Sequence, residues 1–464
     1  MKELHILKTR RMDNGELRLL REFSPQLNTN TRLVKGWIIF LLAGFAFGLV
    51  GLYMQIVKGH AITGMRDYVV WGVYIVNFIF FMGLSYAGAL VAGTLHLMKT
   101  DWRKPIMRMA EILTVVSIAI GPLFIVLCIG RLDRLPYLFQ YGRIQSPITW
   151  DVIAISTDLI GCIIYLYLSL IPDLAKLRDF KELKGSSLRK KMYRVLALGY
   201  QDTPQHNKII KRSKNMMAVI IIAIAIIVYS VLAWIFSVTL QPGWHSTIFG
   251  PYFVIAAVYS GTGVLIILMW IYRKIYNLEA YLTKDHFVKI GVLLLILAAF
   301  FGYFTFSEYL TKWYGSESND STLIDKLFSE YFVMFLISNY AGVIIPLIIV
   351  GIPKLRSINS ITFAAVVSVV ALWFNRYLIV VPTLESPYLP IQDSRPEYLY
   401  YSPTWVELAT SIGLFAMFCL LFTLASKFVP IIEVSGNAKK EQKPEVVEAI
   451  PPNVLKEKDY EYAS

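Results

Sequence analysis

Residues 71–93 read WGVYIVNFIFFMGLSYAGALVAG, a run without one charged side chain. A helix needs about 20 apolar residues to cross the hydrocarbon core of a bilayer, so this stretch is long enough to span a membrane. Nine further stretches resemble it, although one of them contains Asn375 and Arg376. The sequence therefore predicts an all-α integral membrane protein with about ten transmembrane helices. The predicted spans are 35–58, 70–98, 109–130, 150–172, 216–241, 250–273, 287–312, 330–352, 360–381 and 405–429.

Lysine and arginine alternate between the loops that join these spans. The N-terminal segment holds eight basic residues up to Lys35, the segment from Lys176 to Lys214 holds twelve, and residues 242–249 hold none. Basic loops stay on the cytoplasmic side of a membrane, so we expect both termini in the cytoplasm. Cytoplasmic loops and contact with anionic lipid then explain the net charge of +13, without nucleic acid as a partner.

The order of the spans suggests two units of similar orientation. Spans 2 and 6 both run inward, so spans 2–5 and 6–9 form two possible four-helix bundles, with spans 1 and 10 beside them. Glycines in span 2 and span 6, such as Gly88 and Gly261, allow helices to approach closely. The expected domains are a cytoplasmic segment at 1–34, a membrane domain at 35–429 with bundles at about 70–241 and 250–381, and a flexible cytoplasmic tail at 430–464.

The spacing of histidine and cysteine does not favour a metal or haem site. Cys128, Cys162 and Cys419 form no CxxC pair of the kind that holds iron–sulfur clusters or zinc. Only His96 of the six histidines lies near a span, whereas a membrane haem needs axial ligands inside the bundle. We therefore expect this chain to bind no haem and no metal of its own.

Two aspartates lie inside span 4, where an ionisable side chain is costly and usually functional. Asp151 and Asp158 are seven residues apart, so they share one helix face at a separation of about 10 Å. Asp151 is either a group that binds a ligand or a proton, or a carboxylate that backbone N–H groups stabilise at a helix start. Asp158 lies deeper, which favours a functional role.

Other polar side chains extend this pattern through the membrane. Tyr86 and Tyr229 allow a polar track through the first bundle, and Glu111 either continues it or pairs with Arg108 one turn away. The second bundle has three ionisable residues toward its outer side, for which a helix-joining Arg–Glu pair is the favoured interpretation and proton transfer the alternative. These three residues are Glu308, Arg376 and Glu407.

Several phrases of the chain resemble the NrfD-like family, the membrane subunits of polysulfide reductase and its relatives. The resemblance is greatest to the quinol-oxidising membrane subunit of alternative complex III. The most specific phrases are IGRLDRLPYLFQYGRIQSPITWDVIAIST (129–157) and QPGWHSTIFGPYFVIAAVYSG (241–261). The resemblance implies a ten-span fold of two four-helix bundles in a prokaryotic plasma membrane, with a quinone site near the outer surface of the first bundle. It also implies a periplasmic iron–sulfur partner, a multihaem cytochrome or molybdoenzyme subunit, and a paralogous membrane subunit.

The chain departs from this family at several positions. It retains the Trp150–Asp151 pair of span 4, but three usual histidines and one usual aspartate are replaced. The residues in those places are Tyr86, Cys128, Tyr229 and Ile235. Imidazole is therefore not expected to be the proton acceptor at these positions.

The resemblance implies a membrane subunit that exchanges electrons between menaquinone or ubiquinone and its iron–sulfur partner, and it leaves proton translocation open. Asp151 is the candidate catalytic proton acceptor, because burial raises the basicity of a carboxylate. Arg131 either holds that carboxylate or anchors lipid phosphate, and His245 offers a neutral imidazole. The candidate quinone-binding residues are Cys128, Arg131, Trp150, Asp151, Tyr229, Trp244 and His245. The candidate proton-path residues are Tyr86, Glu111, Asp158, Glu308, Arg376 and Glu407.

Two other functions agree with the same sequence. One is a haem-free structural anchor with a degenerate quinone site, which the missing histidines favour. The other is a secondary transporter, which would have corresponding helices broken near mid-membrane. Gly121–Pro122 and Pro346 come nearest to that pattern.

Overall fold

The computed structural model describes residues 14–28, 31–180, 187–239, 241–315, 317–388 and 400–434. These residues are mainly helical and contain no β-strand, which confirms the all-α prediction. A π-helical segment, Leu336–Ala341, joins α12 to α13. The helices are α1 (Asn14–Asn28), α2 (Arg32–Lys58), α3 (Gly72–Leu97), α4 (Lys104–Cys128), α5 (Leu135–Gln140), α6 (Pro147–Asp179), α7 (Ser187–Leu196), α8 (Pro204–Ser237), α9 (Phe249–Ile275), α10 (Lys284–Gly315), α11 (Ser318–Ser329), α12 (Phe332–Phe335), α13 (Gly342–Gly351), α14 (Ile358–Leu384) and α15 (Trp405–Phe428).

Ten helical segments of the described chain are long and apolar enough to cross a membrane, as the sequence predicts. The α6 helix is longer than the predicted fourth span, because its polar last turns continue past the apolar run. The α4 helix passes through Pro122 and α13 passes through Pro346 without ending. The broken helix pair that a transporter would show is therefore not formed at these two prolines.

The helices pack as two bundles with a flanking pair. Bundle one consists of α3, α4, α6 and α8, and bundle two consists of α9, α10, α12–α13 and α14. The α3 helix contacts α4, α8 and α9, so it joins the two bundles, while α2 packs along α15. A Cβ atom on Gly48 would lie 2.5 Å from the Gly413 Cα atom, which shows how closely α2 and α15 approach.

Helix direction divides the loops between two ends of the molecule. The end that holds α1, α7 and the segments before α4, α10 and α14 carries most of the Lys and Arg, and we call it the basic end. The opposite end holds α5, α11 and the segments before α3, α9 and α15.

Chain segments from both termini cover the basic end. Leu20 and Phe23 of α1 are buried, and Glu16 forms an ion pair with Lys176 at 2.7 Å. Past α15, three apolar side chains between 431 and 434 are fully buried. The predicted flexible tail from 430 therefore begins too early, because its first residues are apolar enough to pack against the protein. Residues 435–464, the rest of that predicted tail, and 1–13 lie outside the described residues.

The alternation of loop charge makes a topology prediction. Reporter fusions after Lys214 and after Gln241 are expected on opposite sides of the membrane, because one apolar helix separates them. A phosphatase reporter active only outside and a fluorescent reporter active only inside provide the measurement. Two fusions on the same side would contradict the ten-span orientation.

Candidate functional site

Asp151 lies on the inward face of α6, at the opposite end of bundle one. Its exposed fraction is 8%, and the carboxylate Oδ1 is buried without a hydrogen-bond partner. Pro147 and Trp150 precede it in the first turn, so Asp151 stands beyond the position from which a side chain caps a helix start. Trp150 is partly buried, and its indole N–H donates to the carbonyl of Ile144, which fixes the preceding loop against the helix. The site therefore offers a carboxylate with an unused acceptor atom.

The inward face of α6 carries further polar groups at the same seven-residue spacing. Asp158 is buried and accepts a hydrogen bond from the Cys162 thiol at 3.2 Å. Tyr165 is buried one repeat farther along, and its hydroxyl has no hydrogen-bond partner. We call Asp151, Asp158, Cys162 and Tyr165 the α6 polar face. Its two aspartates were predicted from the sequence, while Tyr165 was missed although the same spacing leads to it.

Tyr86 of α3 and Tyr229 of α8 form a stacked pair beside this face. Their ring centroids are 4.8 Å apart at an interplanar angle of 28°, and both hydroxyls are buried without hydrogen-bond partners. Asp158 lies within electrostatic reach of the Tyr86 hydroxyl. The structure therefore brings together Tyr86, Tyr229 and Asp158, as a polar track through bundle one requires.

Arg376 of α14 reaches toward the tyrosine pair from bundle two. Its guanidinium is buried, lies 4.5 Å from the centroid of the Phe253 ring and is within electrostatic reach of Tyr229. Its Nη1 atom has no hydrogen-bond partner. A buried cation over an aromatic face gains from the ring quadrupole, which partly replaces its lost hydration.

The expected pairing of Arg376 with a glutamate is wrong within the described part of the chain. Glu308 instead forms an ion pair with Lys312, one turn along the same helix. Glu407 accepts a hydrogen bond from the Tyr401 hydroxyl at 2.6 Å and closes the capping box at the start of α15. Both carboxylates have nearer partners than Arg376, because one has a lysine on its own helix and the other faces unpaired backbone N–H groups.

Glu111 belongs to a buried group of charges near the basic end. Arg108 lies 3.6 Å from Glu111 and 2.9 Å from Asp173, while Lys214 lies 3.4 Å from Glu111 and 2.8 Å from Glu433. We call these five residues the basic-end ion cluster. Burial raises the pKa of Glu433, but the charges of Lys214 and Arg108 outweigh it and lower that pKa below its ordinary value. Glu111 thus forms the Arg108 pair that the sequence allowed, within a larger network.

Two of the candidate quinone residues have partners other than Asp151. Arg131 is exposed and binds Asp133 through two hydrogen bonds, so it does not hold the Asp151 carboxylate in this structure. Cys128 is partly buried, and its thiol lies 3.8 Å from the carbonyl oxygen of Trp71. Both residues stand at the end of α4, where the loop leads away toward α5.

The neighbouring residues Trp244 and His245 have side chains in different environments. Trp244 is buried, stacks on Trp71 with ring centroids 6.0 Å apart, and donates to the carbonyl of Ile379 at 2.8 Å. His245 is exposed, and its Nδ1 atom lies 3.3 Å from the Tyr388 hydroxyl. Trp244 therefore joins the bundles, and His245 faces the bundle-two side of the opposite end.

A second polar group at the opposite end was missed in the sequence. Gln55 of α2 donates to the carbonyl of Leu127 at 2.8 Å, contacts His60 at 3.3 Å, and accepts a bond from the Tyr74 hydroxyl at 2.7 Å. The His60 ring lies 3.5 Å from where a Cβ atom on Gly130 would stand. His60, which belongs to the segment after α2, thus lies beside the end of α4. The polar Gln55 within an apolar run was the available signal.

Comparisons with known proteins relate this arrangement to a family. The family model described as "Polysulphide reductase, NrfD" matches residues 61–386. A provisionally named membrane subunit of the dimethyl sulfoxide reductase of Halobacterium salinarum is 24% identical over 89% of this chain and 95% of its own. A selenate reductase subunit of Mesobacillus selenatarsenatis is 24% identical over 83% and 91%. The Hdr-like menaquinol oxidoreductase integral membrane subunit of Archaeoglobus fulgidus is 24% identical over 85% and 93%.

Proposed function

This chain belongs to the polysulphide reductase NrfD family, and from that premise we propose that it is the quinone-interacting membrane subunit of a respiratory redox complex. One relative is named a menaquinol oxidoreductase subunit and two are named reductase subunits, which supports this assignment. Within the chain, the observation that carries the proposal is Asp151, a buried carboxylate with an unpartnered oxygen at the opposite end of bundle one.

The surroundings of Asp151 suit a substrate that arrives from the bilayer. Three apolar side chains that precede Asp151 are largely exposed. They are Phe139 of α5 at 70%, Ile144 of the following loop at 78% and Ile148 of the first turn of α6 at 60%. Apolar side chains that face outward from a membrane protein contact lipid, in which an isoprenoid quinone is dissolved. In this proposal the quinone headgroup approaches Asp151 from the lipid side, between the loop that follows α5 and the first turns of α6.

The chemistry assigned to Asp151 is general-base catalysis. A quinol hydroxyl next to the carboxylate gives it a proton, and the electrons leave to an iron–sulfur partner. Two such proton transfers with two electrons convert quinol into quinone, and the reverse steps reduce it. A positioned base of this kind typically contributes about 10²- to 10⁴-fold to a rate.

The α6 polar face supplies a proton route from Asp151 toward the basic end. Successive members of the seven-residue series are about 10 Å apart along the helix, so the proposed route requires water molecules between them to pass the proton on. The proposed order is Asp151, Asp158, Tyr165 and Glu111, with the tyrosine pair beside Asp158. Glu308 of α10 and Glu407 of α15 are not used, because both lie on helices outside bundle one.

The partners and the location follow from the same proposal. The basic end faces the cytoplasm of a prokaryotic cell, as the distribution of Lys and Arg favours. The iron–sulfur partner then docks on the periplasmic side, near Asp151, with molybdoenzyme or multihaem cytochrome subunits and a paralogous membrane subunit completing the complex.

A structural anchor with a degenerate quinone site is the second candidate. Tyr86, Cys128 and Tyr229 stand in the usual histidine positions, and Arg131 and Trp244 are engaged elsewhere. Equilibrium binding of a menaquinone analogue to the purified chain in lipid nanodiscs separates the two candidates. Saturable binding with one site per chain supports the quinone subunit, whereas purely non-saturable partitioning into lipid supports the anchor.

The purified chain is expected to show no haem absorption band once all partner subunits have been removed. The reason is that none of the buried histidines of the described chain face each other as an axial pair inside a bundle. The absorption spectrum between 400 and 600 nm (about the range of haem bands) is the measurement. A stoichiometric haem band in the isolated chain would overturn this expectation.

A further inference from the structure

The opposite end of bundle two contains a group of three metal-ligating side chains. His245 comes from the segment between α8 and α9, Glu317 from the residue before α11, and Asp320 from the first turn of α11. One imidazole nitrogen and one carboxylate oxygen from each acid lie within 4.8 Å of one another. This distance is short enough for all three atoms to bind one ion after small side-chain movements.

Asp320 supplies independent support for a bound cation. Its side chain is only 4% exposed, and its Oδ1 atom is buried without a hydrogen-bond partner. Burying a carboxylate without a partner is costly, and a second carboxylate nearby adds repulsion. The α11 helix start compensates only part of this charge, because no side-chain capping hydrogen bond is formed there.

Lys312, whose amino group reaches the turn before His245, does not neutralise this group. Lys312 forms an ion pair with Glu308 and donates to the carbonyl of Gly243 at 2.8 Å. Its charge is therefore already matched one turn along α10, and it forms no ion pair with Glu317 or Asp320 in the described part of the chain.

We propose that His245, Glu317 and Asp320 bind a divalent transition-metal ion of the zinc type. One imidazole and two carboxylates are three protein ligands, the number that leaves a fourth position of tetrahedral zinc to water. The imidazole favours zinc and its neighbours over magnesium and calcium, which prefer oxygen alone. The ion joins the α8–α9 segment to α11, and so fixes the turn that places Trp244 between the bundles.

Tyr388 contacts the ring nitrogen Nδ1 of the histidine ligand. Its hydroxyl lies 3.3 Å from His245 Nδ1. When Nδ1 donates to this hydroxyl, the other ring nitrogen, Nε2, carries a free lone pair for the metal. Ligating histidines usually have such a partner, which orients the ring.

A metal at this position departs from the sequence expectation that the chain binds none. That expectation used the spacing of cysteines and histidines, whereas these ligands come from two segments far apart in the chain. The site is also independent of the quinone proposal, because its residues lie on bundle two and none of them belongs to the α6 polar face.

Metal binding by the full chain is the test. The protein is purified in detergent with a tag that contains no histidine, stripped with a chelator, and dialysed against zinc. Elemental analysis gives the stoichiometry, and the thermal unfolding midpoint with and without zinc gives the stabilisation. We expect about one tightly bound zinc per wild-type chain and a higher midpoint with zinc, since one site is proposed.

Matched variants decide whether these residues bind the ion. Asp320→Asn and His245→Gln are expected to lose the bound zinc and the zinc-dependent stabilisation, while His206→Gln, which changes a histidine at the basic end, keeps both. Tyr388→Phe is expected to weaken zinc affinity about 10-fold, as removal of a group that orients a ligand does. If wild type retains no zinc, or if Asp320→Asn and His245→Gln retain it with unchanged affinity, the proposal is wrong.

Discussion

Replacing Asp151 with asparagine is expected to lower quinol-linked turnover by about 10²-fold or more, the usual scale for loss of a general base. Asparagine keeps the size of the side chain, but it cannot take up a proton at neutral pH. The unpartnered Oδ1 atom of Asp151 means that no existing hydrogen bond to that atom is lost by the change. Turnover by the intact complex in membranes, with a short-chain quinol as donor, is the measurement.

Asp158→Asn is the matched control for this prediction. It removes a carboxylate from the same helix face, two turns deeper, so it disturbs the proposed proton route and leaves the quinol contact intact. Its effect on turnover is expected to be smaller than that of Asp151→Asn. Co-purification of the partner subunits shows whether each variant still assembles. Normal turnover of an assembled Asp151→Asn complex would rule out the proton-acceptor role and favour the structural anchor.

Arg108→Leu is expected to lower the free energy of unfolding by about 3–5 kcal/mol, the usual cost of removing one partner from a buried ion pair. The change leaves Glu111 and Asp173 buried after losing the guanidinium between them. A lower thermal unfolding midpoint in detergent, or loss of folded protein from the membrane, is the expected result.

Two further variants test that explanation. Lys289→Leu removes an exposed ion pair with Asp285 at the same end, where the expected loss is below about 1 kcal/mol. Adding Asp173→Asn to Arg108→Leu is expected to recover part of the stability, because it removes one of the buried negative charges that the Arg108 guanidinium lay between. Equal losses in Arg108→Leu and Lys289→Leu would show that the basic-end ion cluster does not contribute as proposed.

The membrane helices were predictable because the bilayer imposes one simple requirement on each of them. About 20 apolar residues in a row identify a span, whatever the helix packs against. The ends of the helices were less predictable, since α6 and α8 continue as polar helices beyond the apolar core. Residues 431–434 were predicted to belong to a flexible tail, but their apolar side chains are buried. Whether a short apolar stretch after a span packs depends on contacts with the rest of the fold, which the sequence does not show.

The candidate site was predictable where its residues share one helix. Asp151 and Asp158 follow directly from seven-residue spacing, and both are buried as that spacing requires. Contacts between helices were not available in the sequence. Arg376 was assigned a glutamate because Glu308, Arg376 and Glu407 were all expected toward the outer side of the membrane, yet Glu308 and Glu407 have closer partners. The Gln55–His60 contact beside Gly130 was likewise missed, because no pattern along one helix joins α2 to the end of α4.

The position of Glu433 in the basic-end ion cluster determines when this cluster can form during synthesis of the chain. Arg108 and Lys214 emerge from the ribosome long before Glu433, which follows α15. At about 5–20 residues per second, synthesis takes on the order of tens of seconds to travel from α4 to Glu433. During that interval, Lys214 lacks its 2.8 Å carboxylate partner. The basic-end ion cluster is therefore completed only after α15 has been synthesised, and a nascent chain whose elongation stops inside α15 lacks the carboxylate that pairs with Lys214 at 2.8 Å.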